Sequence, residues 1–203
     1  MPANRILIVG NSITYHAPAP DIGWTASCGM AASAPEKDYA HQFLNAVSKL
    51  MGSKPESCIV NISEFEVNFD AFDIAVSLKR EIAFKADTVV VAIGENVAPL
   101  NDAGKQSRFK SRLIELLAAV KGGDPGTQLF VRSCFWADKV KDDILRQACE
   151  IAGGVFVDIS KICADESNFA RAERGFTNPD VAAHPGDKGM RAITNALLSS
   201  WKK

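Results

Sequence analysis

Five short apolar runs, each followed by a stretch with helical spacing, constrain this chain more than any other feature. The runs cover residues 6–9, 58–62, 88–93, 128–134 and 155–157. A short continuous apolar run reads as a strand buried on both faces, as in a parallel sheet. Between and after the runs, apolar residues recur at spacings of three and four. Tyr39, Phe43, Val47 and Leu50 form one such set, and Phe109, Leu113, Leu116, Leu117 and Val120 another. Val140, Ile144, Ala148 and Ile151 form a third, and Met190, Ile193, Leu197 and Trp201 a fourth. Ala75, Leu78 and Ile82 suggest a further helix ending near Lys85, whereas residues 65–72 read as irregular. Gly52, the segment 122–126 and Gly153-Gly154 supply stops. Asp187 is the expected N-cap of the last helix, after a polar loop over residues 171–185. Alternating strands and helices give an α/β domain with a parallel five-stranded sheet, expected order 2-1-3-4-5. No linker or repeat interrupts residues 1–203, so one domain is expected.

The first run ends in Gly10-Asn11-Ser12. Ligand and catalytic groups of open α/β sheets gather at the carboxyl ends of strands. Ser12 therefore stands where a nucleophile would stand, although Ser is also a common helix cap. The third run ends in a similar small polar turn, Gly94-Glu95-Asn96. Before the last helix comes Asp180-Val181-Ala182-Ala183-His184-Pro185. In a parallel sheet these three segments can share one edge. A serine hydroxyl is a weak nucleophile and needs a base within hydrogen-bond reach. His184 fits, because imidazole titrates near neutral pH. A carboxylate beside it would fix its tautomer. Asn96 and the Ser12 backbone N–H can donate to an oxyanion. His16 and His41 compete with His184, but His41 lies in a helical pattern and His16 only four residues past Ser12. The Pro- and Gly-rich segment 16–35 is too long for a mere connection, and is expected to form one wall of the pocket.

Composition excludes other classes. A net charge of −1 provides no basic field for nucleic acid. No run approaches the roughly 18 apolar residues of a membrane span. Five widely spaced cysteines without a C-x-x-C pair argue against zinc or a redox motif and for reduced, mostly buried thiols. Residues 1–5 carry no basic and apolar leader pattern, so a cytoplasmic protein is expected.

Gly10-Asn11-Ser12-Ile13 resembles the Gly-Asp-Ser-Leu block of the GDSL, or SGNH, hydrolases. Gly94-Glu95-Asn96 resembles that family's Gly-x-Asn block, and Asp180 to His184 its C-terminal Asp–His block. The resemblance implies a three-layer flavodoxin-like fold and a metal-independent serine hydrolase acting on carboxylic esters. The family's members are esterases, lipases, thioesterases and carbohydrate deacetylases, so it implies a small ester substrate, such as an acylated carbohydrate or lipid, and no cofactor. It makes Ser12 the nucleophile and first oxyanion donor, Asn96 another donor, His184 the base and Asp180 its orienting acid. The chain departs from the pattern in three places. Asn11 replaces the usual Asp. Asp180 lies four residues before His184 rather than three, which leaves open a Ser–His dyad assisted by a backbone carbonyl. The turn Ser63-Glu64-Phe65-Glu66 lacks the family's oxyanion glycine, for which Gly29 is the nearest alternative in chain order. The other readings are a non-catalytic flavodoxin-like module binding a ligand or partner at the same edge, and phosphate binding at Gly10-Asn11-Ser12. One glycine is too few to cradle a phosphate.

Overall fold

A computed structural model of the protein describes residues 5–201. Residues 1–4, on which the absence of a leader was partly read, lie outside the described residues. The strands are β1 Arg5–Gly10, β2 Glu56–Asn61, β3 Thr88–Ala92, β4 Gln128–Arg132 and β5 Val155–Val157. They form one parallel sheet of order β2-β1-β3-β4-β5, as the alternation of apolar runs and helices implied. Ile6 to Val9 are fully buried because β1 is central and covered on both faces.

The helices are α1 Tyr39–Met51, α2 Ser63–Val67, α3 Ile74–Ser77, α4 Lys79–Ala83, α5 Ala103–Lys121, α6 Lys139–Ile151, α7 Pro179–Ala182 and α8 Asp187–Ser200. Side-chain alternation along the strands sorts them into two layers. Leu7, Val9, Val89, Val91, Leu129 and Val131 pack against α5 and α6. Ile6, Ile8, Val90, Ala92 and Phe130 face α1 and α8. Trp201 closes the second layer, stacked on Phe130 and edge-on to Phe43. All five cysteines are free thiols. Among the described residues no helix is long and apolar enough to cross a membrane.

Four local expectations are corrected. Phe65 and Glu66 lie in the short helix α2 rather than in irregular chain. The helix expected through Ala75, Leu78 and Ile82 is broken at Leu78 into α3 and α4. The loop 171–185 contains α7. Asp187 is the first residue of α8, not its cap. Its carboxylate accepts from Ser33 N–H (2.8 Å) and Ser33 Oγ–H (2.6 Å). The free N–H groups of Asp187 and Lys188 donate instead to Glu173, both at 2.8 Å, so a carboxylate from a preceding loop serves the positive end of the helix.

Candidate active site

Gly10 ends β1 in register with Ala92 of β3, so the loops carrying Ser12 and Asn96 leave the same edge of the sheet. Thr14 folds back over Gly10. A Cβ on Gly10 would meet Thr14 Oγ1 at 1.8 Å and Ala92 O at 2.9 Å, so the turn requires glycine there. Thr14 Oγ1 is hydrogen-bonded to the buried Tyr39 hydroxyl at 2.6 Å, which anchors the turn to α1.

Ser12 Oγ lies 2.8 Å from His184 Nε2. On the other side of the ring, Nδ1 lies 2.7 Å from the backbone carbonyl of Asp180. A carbonyl only accepts, so Nδ1 carries the proton and Nε2 presents its lone pair to Ser12. The four-residue offset explains the arrangement. Within α7 the Asp180 carbonyl would normally receive the N–H of residue 184, but His184 N–H donates to Val181 O instead. The freed carbonyl accepts the imidazole Nδ1–H, as helix-end carbonyls often find non-helical partners. The Asp180 carboxylate, expected as the orienting acid, makes no hydrogen bond to the ring, and Asp180 is exposed on the first turn of α7. Asn178 caps that helix by accepting from the N–H groups of Asp180 and Val181.

His184 is buried, and desolvation pushes its pKa below the ordinary histidine value, opposed by the bond to Asp180 O and by the Glu95 charge. Trp136 stands edge-on to the imidazole, with ring centroids 5.2 Å apart, and its Nε1–H donates to Ala183 O at 3.1 Å. Trp136 thus braces both the ring and the loop that carries it. His16 and His41 are bonded to other groups: His16 Nδ1 bonds Ala17 O, and His41 pairs with the buried Asp38 at 2.7 Å.

Gly29 is not free to serve an oxyanion. Its single N–H donates to Asp38 Oδ2 at 3.0 Å. Its small size is required because a Cβ would meet Ile13 O at 2.6 Å. The Ser12 N–H, by contrast, has no acceptor among the described residues. The long segment 16–35 folds back on this loop, with Met30 N–H donating to Ser12 O at 2.8 Å. Together with residues 174–178 it lines a cavity of about 400 Å³ walled by Trp24, Ala32, Arg174, Phe176 and Asn178.

Below the serine lies a polar cluster in which Asn11 and Glu95, from the two small polar turns, meet Glu66 and Arg132. Asn11 Nδ2 donates to Glu66 Oε1 (3.2 Å) and to Glu95 Oε2 (2.7 Å). Asn11 Oδ1 accepts from Ile13 N–H at 3.1 Å. Glu95 Oε1 pairs with Arg132 Nη1 at 2.6 Å and accepts from Phe135 N–H at 2.8 Å. Both side chains of that pair are essentially inaccessible. Burial alone would raise Glu95, but the Arg132 guanidinium and the donated hydrogen bonds outweigh it and hold the carboxyl below its usual range. Glu66 moves the other way, raised by burial and then by the Glu95 charge. A further sequence signal was Arg132 itself, a charge closing the apolar run Leu129-Phe130-Val131.

No family model matches the chain, and no curated protein matches it in sequence. Its fold does match solved structures. A protein from Bacteroides ovatus described as a GDSL-like lipase superposes with a TM-score of 0.60 at 13% identity, covering 98% of each chain. The lipase Lip_vut3 from a goat rumen metagenome gives 0.57 at 10% identity, over 97% of this chain and 96% of that one. An acetyl xylan esterase, Est2A, from Butyrivibrio proteoclasticus gives 0.54 at 13% identity, over 97% of this chain and 62% of that one. The three-layer architecture is therefore that of GDSL-like lipases and acetyl xylan esterases.

Proposed function

We propose that the protein hydrolyses carboxylic esters through Ser12 and His184. The observation that carries this reading is the hydrogen-bonded line from Ser12 Oγ through the His184 ring to Asp180 O. It joins a hydroxyl, a buried imidazole of fixed tautomer and an orienting acceptor at the carboxyl edge of the sheet. In the proposed reaction Ser12 Oγ attacks the ester carbonyl carbon while its proton passes to His184 Nε2. The tetrahedral oxyanion accepts from Ser12 N–H and Asn96 Nδ2–H. Collapse breaks the bond to the alcohol oxygen, which takes the proton from His184. Water then attacks the acyl-enzyme with His184 again as base, releasing the acid and restoring Ser12. Asp180 contributes its main-chain carbonyl and not a carboxylate. The fold shared with lipases and an acetyl xylan esterase supports an acylated carbohydrate or lipid as substrate.

Labelling with a fluorophosphonate probe tests the reading. Parent protein is expected to carry the phosphonyl group on Ser12, and Ser12→Ala and His184→Ala to lose labelling and most turnover of p-nitrophenyl esters. A parent that is neither labelled nor active on any chain length overturns the hydrolase reading in favour of a ligand-binding module.

A further inference from the structure

We propose that Glu66 is the positioning residue for the oxyanion donor Asn96. The inference rests on the ester-hydrolase reading above. Glu66 comes from α2, after β2, yet its carboxylate is fully buried beneath the turn after β3. Oε2 accepts from Asn96 Nδ2 at 2.7 Å. Oε1 accepts from the Gly94 N–H (2.6 Å) and the Asn96 N–H (3.2 Å). The same oxygen accepts from Asn11 Nδ2, one residue before the nucleophile.

This set of bonds does more than hold a loop. A primary amide can present either its oxygen or its nitrogen to a neighbour, and the two orientations differ by a half-turn. Glu66 receives hydrogen bonds on both oxygens, and Oε2 accepts from Asn96 Nδ2, so the nitrogen of Asn96 is turned inward. One Nδ2 hydrogen is thereby engaged and the amide plane is fixed. The second hydrogen has no acceptor among the described residues, and Asn96 is exposed at the surface of the turn. That leaves one donor of defined direction at the edge where Ser12 N–H is also unpaired. Two backbone bonds to Oε1 hold the Asn96 main chain as well, so both the base and the tip of the donor are tied to one group. Donors fixed before the reaction need no reorganisation as the oxyanion forms.

Glu66→Gln separates positioning from mere support. The amide of the substituted side chain keeps one acceptor oxygen for the two backbone N–H groups. Its NH₂ faces Asn96 Nδ2 and favours rotation of the Asn96 amide, which displaces the donor. The experiment measures kcat and KM on p-nitrophenyl acetate and butyrate for parent, Glu66→Gln, Asn96→Ala and the double variant. Urea midpoints and ¹⁵N side-chain amide exchange of Asn96 are read alongside. Expected is a loss in kcat of about 10²-fold for Glu66→Gln and for Asn96→Ala, the scale of one oxyanion donor. KM should stay within about threefold, because the interaction is made in the transition state. The double variant should be no slower than Asn96→Ala alone, because Glu66 acts through Asn96. The Asn96 amide should exchange faster in Glu66→Gln than in the parent. Glu66→Asp, one methylene too short to reach Asn96 with its bonds to Gly94 kept, should reproduce the kcat loss and serves if Glu66→Gln folds poorly. An active parent whose folded Glu66→Gln keeps its kcat overturns the proposal alone, as does a double variant whose losses multiply. A parent inert toward esters and fluorophosphonate overturns the ester reading, and this proposal with it.

Discussion

Asn11 replaces the aspartate that the resembling block usually carries, and the structure gives a reason that can be measured. Its amide donates one hydrogen to each of two buried carboxylates, Glu66 and Glu95. Asn11→Asp would put a third carboxyl between them. Burial and two neighbouring acids would keep that new group protonated in the folded state. Holding a proton at pH 7 on a group that titrates near 3.9 when unfolded costs about 4 kcal/mol, at about 1.36 kcal/mol per pH unit. The protonated carboxyl has one donor where the amide had two, so one hydrogen bond to a carboxylate is lost, about 1.5–3 kcal/mol more. The expected destabilisation is therefore about 5–7 kcal/mol at pH 7, comparable to the whole stability of a typical domain. The sign with pH follows from the raised folded pKa. The proton is held at little cost below the unfolded pKa, and the penalty grows as pH rises above it. At pH 4 only the lost hydrogen bond, about 1.5–3 kcal/mol, should remain. Urea titrations of parent and variant at pH 4 and pH 7 measure both numbers. Adding Glu66→Gln, which removes one acid and supplies an amide, should recover at least about 2 kcal/mol at pH 7. A variant within about 0.5 kcal/mol of the parent at pH 7, or equally destabilised at both pH values, would refute the reasoning.

Asp180→Ala keeps the carbonyl that holds His184, so kcat should fall by less than about fivefold while His184→Ala loses about 10³-fold or more; equal losses would show that the carboxylate orients the ring. His184 and His41 should titrate on opposite sides of the ordinary value of about 6.5. His184, lowered by burial, places the acid limb of kcat/KM below it, and stability falls as pH drops through that lower window. His41, raised by its bond to Asp38, contributes stability that is complete below the ordinary value and lost as pH rises through the higher one. NMR titration of the ring protons checks both, and a common midpoint contradicts the environments described here. Gly10→Ala must displace Thr14 from its bond to Tyr39 and should cost at least about 2 kcal/mol; an unchanged urea midpoint would show that the turn yields freely.

The sheet was legible because its strands are buried on both faces and so appear as unbroken apolar runs. Ser12, Asn96 and His184 stood out as candidates because small polar turns at strand ends, and a histidine before a proline, break that pattern. What stayed hidden has common physical causes. Helices α2, α3, α4 and α7 have four or five residues each, too few to display a 3.6-residue period. The Glu66 carboxylate meets residues 28, 30 and 55 positions away, and a single glutamate in a string reads as a solvated one. The capping of α8 by Glu173 depends on a loop path that no cap rule encodes. The carbonyl at His184 Nδ1 is a backbone group, invisible to any search over side-chain types.

That carbonyl also bears on how the proposed base works. A carboxylate at Nδ1 would stabilise the imidazolium, and so raise the pKa of His184. A neutral carbonyl is a weaker counterweight, and burial prevails, leaving the ring below its ordinary value. The base is then unprotonated across the neutral range, but each proton transfer from Ser12 creates a cation with less local compensation. Glu95 supplies part of it from below, since its charge raises His184 without touching it. Glu95 is itself paired with Arg132 at 2.6 Å, which fixes its position. On the proposed reading, therefore, the imidazolium depends on the buried cluster as well as on α7. Substituting Arg132 would leave Glu95 uncompensated next to Glu66, and two unpaired acids would sit under the turn that carries Asn96. On the proposed reading, the cluster that directs the Asn96 amide thus also limits how much negative charge lies beneath it, through the pairing of Glu95 with Arg132.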